Sequence, residues 1–337
     1  MPTVLESINQ GLHGAMAADP RVIVLGEDIL DPYGGAFKVA KGLSSAYPDR
    51  VFTTPISEAA IVGLASGLAL RGMRPIAEIM FGDFLFLAGD QLANHAAKFQ
   101  WMYNDQVRVP MVVRAPMGAR RGYGPTHSQS IEKHFMGVPG LWVVAPHLLG
   151  DPGRLLRQAT LECDAPVVFI ESKTCYGRAL VAAVPGMTST VMTDPVSPFP
   201  TVVLRHDRDE AADGLLWCYG GMTPHCLEAV QQLKDVEGLH LDLAVVSQLS
   251  PVPASHIERV VEASETALFV YAEEASAEHG WSAEILAQVQ RQLEMTGRPG
   301  RHVRIGGAHT PIPSSRVLEM DAVPAAGDII ARVLECF

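Results

Sequence analysis

The chain has 337 residues, with 26 Lys and Arg against 37 Asp and Glu for a net charge of −11. That balance argues against nucleic acid, which wants a basic face, and against an anionic membrane surface, and no apolar run reaches the length of a bilayer span. Hydrophobic residues make up 48% of the chain and charged ones 19%, enough to fill the cores of two domains. The five cysteines, Cys163, Cys175, Cys218, Cys226 and Cys336, are odd in number and form no Cys-x-x-Cys pair. Reduced thiols in a reducing compartment are expected, and no Cys/His spacing suits zinc. The opening Met-Pro-Thr is soon followed by Glu6 and Asn9. Neither a secretory signal nor an Arg-rich transit peptide is visible there, and the expected location is the cytoplasm.

In chain order, short apolar runs alternate with helical patterns. Strands are predicted at Val22–Leu25, Pro75–Met80, Met111–Ala115, Leu141–Ala145 and Val167–Ile170. Helices are predicted after Glu58, from Asp83 to about Trp101, and near Pro152–Leu161. From about Leu180 the text breaks into Val184-Pro185-Gly186, Asp194-Pro195, Ser197-Pro198 and Phe199-Pro200, then a charged run. This segment reads as an extended linker with one strand. Alternation restarts with strands Leu215–Tyr219, Leu241–Val246, Ala267–Tyr271 and His302–Ile305. The helices between and after them are Pro224–Lys234, Pro253–Ala263, Ser282–Met295 and Ala325–Leu334. The fold class is therefore α/β, two domains each with a mainly parallel sheet flanked by helices. The expected division is 1–180, a linker over 181–213, and 214–337.

The segment Thr54-Pro55-Ile56-Ser57-Glu58 places one acid at the head of a glycine-notched helix. Ser57 is the expected N-cap, and a first-turn carboxylate is favoured by the helix dipole. Ile61, Leu64, Ala65 and Leu68 have the spacing of a buried stripe, while Gly63 and Gly67 open the backbone to a neighbour. By itself Glu58 is a capping acid on a surface helix.

More residues join it. Glu58, Gly63, Leu64, Gly67 and Leu68 match the pattern of the pyrimidine-binding domain of thiamine-diphosphate enzymes. Around them stand Val24-Leu25-Gly26-Glu27-Asp28, Gly35-Ala36-Phe37-Lys38, Arg50-Val51-Phe52, Glu78-Ile79-Met80-Phe81-Gly82-Asp83-Phe84, Asp90-Gln91 and His127-Ser128-Gln129-Ser130. Pro139-Gly140-Leu141, Val143-Val144-Ala145-Pro146 and Thr310-Pro311-Ile312-Pro313 complete the series. The chain resembles the beta subunit of the decarboxylating component of 2-oxoacid dehydrogenases, a branch of the transketolase superfamily. The resemblance is dense over residues 20–180 and thinner to the end.

That resemblance implies site residues. The cofactor's aminopyrimidine takes a proton from the thiazolium only in its imino tautomer, which a carboxyl group on the far ring nitrogen stabilises. This role falls to Glu58, where desolvation favours proton sharing. Ile56 and Phe84 become cofactor contacts, Phe84 by stacking on the pyrimidine, while Phe81 and Phe86 read as core. His127 becomes the group that reaches the reacting carbon, able to donate to a developing alkoxide. Ser128 and Gln129 support it.

An absence completes the expectation. Gly82-Asp83, Gly89-Asp90 and Gly150-Asp151 occur, but no Gly-Asp-Gly. Mg²⁺ and the diphosphate would be held by an alpha-type partner in an α₂β₂ assembly, facing the helices Glu58–Leu70 and Leu87–Lys98. A lipoyl acyltransferase or an acyl carrier protein would receive the product. One departure from the family pattern is Arg120-Arg121 ahead of Gly124-Pro125-Thr126-His127, wording similar to transketolases. Two guanidinium groups would suit a substrate phosphate, or else partner and carrier contacts. Alternatives are thus a ketol transferase acting on a sugar phosphate, or a non-catalytic docking scaffold. The resemblance also allows a structural K⁺ near Ala159–Ala165, where this chain carries one extra residue.

Overall fold

A computed structural model describes residues 1–208 and 210–337. The first element, a helix at Val4–Ala18, is absent from the predicted elements, although Val4, Ile8, Leu12 and Ala15 keep helical spacing and line its buried face. Thr3 and Glu6 form a reciprocal capping box, Thr3 N donating to Glu6 Oε2 at 2.8 Å and Glu6 N to Thr3 Oγ1 at 3.2 Å. Such a box satisfies two amides otherwise orphaned at a helix start. The helix crosses a second one, Pro152–Leu161, backbone to backbone. A Cβ on Gly153 would lie 2.0 Å from the Ser7 carbonyl oxygen, so only glycine permits the crossing.

The first sheet contains β1 (Val22–Gly26), β2 (Val51–Thr53), β3 (Arg74–Glu78), β4 (Val112–Met117), β5 (Trp142–Val144) and β6 (Val167–Ser172). All six are parallel, in the order β5-β6-β4-β3-β1-β2. Parallel strands covered on both faces read as continuous apolar runs, and five of the six were marked by the sequence; β2, a three-residue edge strand with Phe52 and Thr53 exposed, was not.

The second sheet begins inside the expected linker. Instead of one strand there are two, β7 (Met187–Met192) and β8 (Thr201–His206), an antiparallel pair with Met187 opposite His206. Pro195, Pro198 and Pro200 cluster in the connection between them and disguise the flanking strands. The sheet continues through β9 (Gly214–Tyr219) and β10 (Leu241–Val246). A short strand, β11 (Gln248–Ser250), then leaves for the first sheet and pairs antiparallel with β5. Finally β12 (Leu268–Ser276) and β13 (Arg301–Gly307) complete the order β13-β12-β9-β10-β8-β7. One apolar cluster runs from Val113 and Ile170 to Trp217 and Phe269, so the two sheets share a core.

Two local expectations change. The helix expected from Asp83 to Trp101 is broken into a tight turn at Gly82–Phe86, a wide turn at Gln91–Ala96 and a regular helix at Ala97–Met102. Gly82 explains the first break, since a Cβ there would meet the Met117 side chain at 2.6 Å. In the helix Glu58–Leu70 the buried face is Ile61, Val62, Ala65, Ser66 and Ala69. Leu64, expected inside, is 53% exposed. Ser57 does hold the N-cap position, yet its hydroxyl makes no capping bond.

Candidate functional site

Five segments converge at the carboxyl ends of the parallel strands, the place where open α/β sheets gather their ligand-binding loops. Glu27 follows β1, Ser57 and Glu58 follow β2, and Phe81–Phe84 follows β3. The loop 118–129 follows β4, and Lys173 follows β6.

Glu58 is buried, 5% exposed, and its carboxylate takes no hydrogen bond from the described residues. Its neighbour in charge is Glu27, equally buried, whose Oε1 has no partner among the described residues. Burial raises the Glu27 pKa, and the negative charge of Glu58 raises it further, with smaller effects from Asp28 and Glu78. Two acids, not one, therefore sit at the helix head. Glu27 entered the sequence argument only as part of a family string; an acid directly after a buried parallel strand was the signal available.

Behind this pair, Arg114 lies fully buried between Glu78 and Glu171, at 2.7 Å from each. Tyr176 donates to Glu171 at 2.6 Å. These bonds tie β3 to β4 and β6 at their carboxyl ends, and so set where Phe81–Phe84 begins. Gly35, with φ of +83°, is pressed against Glu78; a Cβ there would reach Oε1 at 2.4 Å.

The structure brings His127 and Phe84 together. Their ring centroids are 5.1 Å apart and edge-on, and Phe81 approaches His127 at 4.7 Å. Thr126 Oγ1 lies 3.0 Å from His127 Nδ1. The buried Lys173 donates to the His127 carbonyl, and burial pulls the Lys173 pKa down to about 8 against the raising charges of Asp83, Glu274 and Glu319. Gln129 turns away from the reacting side of the loop: its amide nitrogen donates to Asp83 Oδ1 at 2.8 Å, joined by its backbone N–H at 3.1 Å. It braces the loop on the segment that carries Phe84.

The arginine pair divides. Arg120 Nη2 donates to the carbonyls of Val323 and Pro324 at 3.1 and 2.7 Å, so its guanidinium is spent on the second half of the chain. The two arginines are therefore not engaged alike, as a paired phosphate clamp would have them. Arg121 is exposed and makes no ion pair among the described residues. Ile56, two residues before Glu58, is 83% exposed, and Leu64, Phe86, Leu87 and Trp101 are exposed apolar residues as well.

No group of three or more His, Cys, Asp or Glu able to hold a metal occurs among the described residues. In the segment expected to offer K⁺ carbonyl ligands, Arg74 Nη1 donates to the carbonyls of Thr160 and Cys163 at 3.0 and 3.1 Å, and Nη2 pairs with Asp164 at 2.8 Å. A guanidinium already binds that turn. No helix among the described residues is long and apolar enough to cross a membrane.

Fold and site together define a two-sheet α/β protein of the transketolase type. The family model for the transketolase pyrimidine binding domain matches residues 1–178, and that for the transketolase C-terminal domain matches residues 204–329. The rice (Oryza sativa subsp. japonica) mitochondrial pyruvate dehydrogenase E1 component subunit beta-2 is 36% identical, over 97% of this chain and 84% of the relative. The beta subunit of the Cupriavidus necator acetoin:2,6-dichlorophenolindophenol oxidoreductase is also 36% identical, over 96% and 94%. A Mycobacterium tuberculosis 3-methyl-2-oxobutanoate dehydrogenase beta subunit is 32% identical, over 99% and 90%. Among solved structures, a split-gene transketolase described as an inactive beta4 tetramer superposes with a TM-score of 0.74 at 21% identity, over 99% and 98%. The chain belongs to the family of 2-oxoacid dehydrogenase E1 beta subunits.

Proposed function

We propose that this chain supplies the pyrimidine half of a thiamine-diphosphate site and works with an alpha-type subunit to decarboxylate a 2-oxoacid and pass on its acyl group. The observation that carries this reading is Glu58: a buried carboxylate with no partner among the described residues, two residues from the exposed Ile56. A flat heteroaromatic with a ring nitrogen fits such a place, because it satisfies the acid and covers apolar surface. Bound there, the cofactor would supply the nucleophilic carbon that attacks the oxoacid carbonyl.

The chain's own residues have separable tasks. Glu58 would hold a proton against the pyrimidine ring, and Glu27, kept protonated more readily by burial, would favour proton sharing between the two acids. Phe84 and Ile56 would pack on the ring and exclude water. The His127 imidazole, held edge-on between Phe81 and Phe84, would give a proton to the oxygen of the reacting carbonyl. Mg²⁺ and the diphosphate would be held by the partner, since this chain has no Gly-Asp-Gly segment. A lipoyl group on an acyltransferase is the proposed acceptor.

The ketol-transfer reading keeps Arg121 but loses Arg120 to the second half of the chain, and a lone exposed arginine is weak support for a phosphate site.

Isothermal titration decides the half-site argument. The purified chain with thiamine diphosphate and Mg²⁺ should give no binding heat, and the reconstituted pair with its alpha-type partner should titrate. Tight binding by the chain alone would refute it.

A further inference from the structure

The loop that carries His127 leaves the first sheet, yet its backbone is held by the second half of the chain. Gly118, Arg120, Gly122 and Gly124 all adopt positive φ, from +72° to +97°. Positive φ recurs at every second residue of this loop, and two of its main-chain N–H groups, those of Ala119 and Gly122, turn to carboxylates. Two carboxylates meet them. Glu274, on β12, accepts from Ala119 N at 2.7 Å and from the Ser130 hydroxyl at 3.0 Å through the same oxygen. Glu319, fully buried on the helix Arg316–Ala322, accepts from Gly122 N at 2.7 Å.

Other contacts fit the same picture. Arg120 reaches the same part of the chain, donating to the Val323 and Pro324 carbonyls just beyond Glu319. A Cβ on Gly118 would strike Glu274 Oε1 at 2.7 Å, and one on Gly124 would strike the Ser314 hydroxyl oxygen at 2.6 Å. The loop and its cradle therefore touch at four places along residues 118–124. Glu274 and Glu319 also lie near Lys173 and favour its charged form, which donates to the His127 carbonyl. Both routes end on the same residue.

We propose that Glu274 and Glu319 are positioning residues: carboxylates of the second half of the chain that set the conformation of the His127 loop. The proposal rests on the reading of His127 given under the proposed function. Neither carboxylate touches the reacting atoms. Each acts through main-chain N–H groups that a positive-φ turn presents to it, and charge-assisted bonds of this type are about twice as strong as neutral ones. A side chain that served packing alone would have no reason to be ionisable where Glu319 is buried, since an unpaired charge there is costly.

The test uses Glu319→Ala, Glu274→Ala and the two Gln replacements, which keep an acceptor oxygen. Hydrogen exchange on the full chain, without cofactor, should show faster exchange in peptides covering 118–129 for the Ala variants, by about tenfold for loss of one such bond. Peptides from β6 and β9 should be unchanged, and the Gln variants should recover part of the protection. In the reconstituted pair, kcat should fall by a similar factor while the Kd for thiamine diphosphate stays within about twofold. Unchanged loop exchange in both Ala variants would overturn the clamp. Faster loop exchange with full kcat would overturn the positioning role. If an Ala variant fails to fold, Arg120→Ala and the Gln variants carry the same two readings. A parent pair inert toward every 2-oxoacid would count against the proposed function, whereas the exchange result would still judge the clamp.

Discussion

Lys173 donates to the main-chain carbonyl of His127 while lying over the faces of Phe81 and Tyr123, 5.2 and 5.5 Å from their ring centroids. One ammonium thus orders the backbone of the proposed catalytic loop and the aromatic wall beside it. Replacement by Met keeps the stem and removes the charge. Turnover by the reconstituted pair should drop about tenfold or more, the usual effect of losing a charged hydrogen bond. Stability has its own signature. The native pKa of about 8 lies below the ordinary value of 10.5, so between those limits the unfolded chain binds more protons. Stability should therefore rise with pH across that window, by up to about 3 kcal/mol. Urea titrations of Lys173→Met that show the same rise would assign it elsewhere.

Glu132 gives the opposite slope. It is buried, accepts from the Tyr219 hydroxyl, and burial raises its pKa from 4.5 to about 7. The native state holds a proton that the unfolded state has released, so stability should fall as pH rises from about 4.5 to 7, by up to about 3 kcal/mol. Glu132→Gln should flatten this part of the profile. A variant with the parent's slope would place the titration on another group.

Arg114 should be the most sensitive charged residue for folding. Removing it would leave Glu78 and Glu171 buried side by side without their cation. Arg114→Met should cost about 3–5 kcal/mol, read as a lower urea midpoint at unchanged slope. A cost under about 1 kcal/mol would mean that the two acids simply take up protons.

Glu58→Gln preserves shape and abolishes proton sharing. With the alpha-type partner present, exchange of the thiazolium hydrogen for deuterium should slow by about 10²-fold or more, with the Tm within a few degrees of the parent. Unaltered exchange would reduce Glu58 to a capping acid.

Arg121 separates the two catalytic readings. The parent pair should decarboxylate a 2-oxoacid in an artificial-acceptor assay and leave ketose phosphates untouched. Arg121→Ala should then alter only carrier affinity, within about tenfold for one exposed charge. Activity confined to ketose phosphates, with a steep KM rise in Arg121→Ala, would reverse the assignment.

The central parallel strands of the first sheet were legible in the sequence because they are apolar runs buried on both faces, which leaves little room for another reading, whereas the exposed edge strand β2 was not. The helix behind Glu58 was legible too, with its acid at the first turn. The N-terminal helix was written in the Thr3–Glu6 capping pair and in the helical spacing of Val4, Ile8, Leu12 and Ala15, yet it is missing from the predicted elements. Leu64 shows the limit of periodicity. Spacing can say which residues share a face; it cannot say which neighbour is there to cover it.

The sequence by itself determined the strand-helix alternation, the acid at the helix head and the lack of a diphosphate motif, since these depend on residues close together in the chain. Only the tertiary structure placed the Arg120 guanidinium on the carbonyls of Val323 and Pro324. It alone revealed that Glu27 shares the helix head with Glu58, and that β11 crosses into the first sheet. It also showed that Glu274 and Glu319, some 155 and 197 residues from their loop partners, hold the loop of His127. Each of these depends on a hydrogen bond or a burial that forms between distant segments, and such contacts leave no periodicity in the chain for a reader to find.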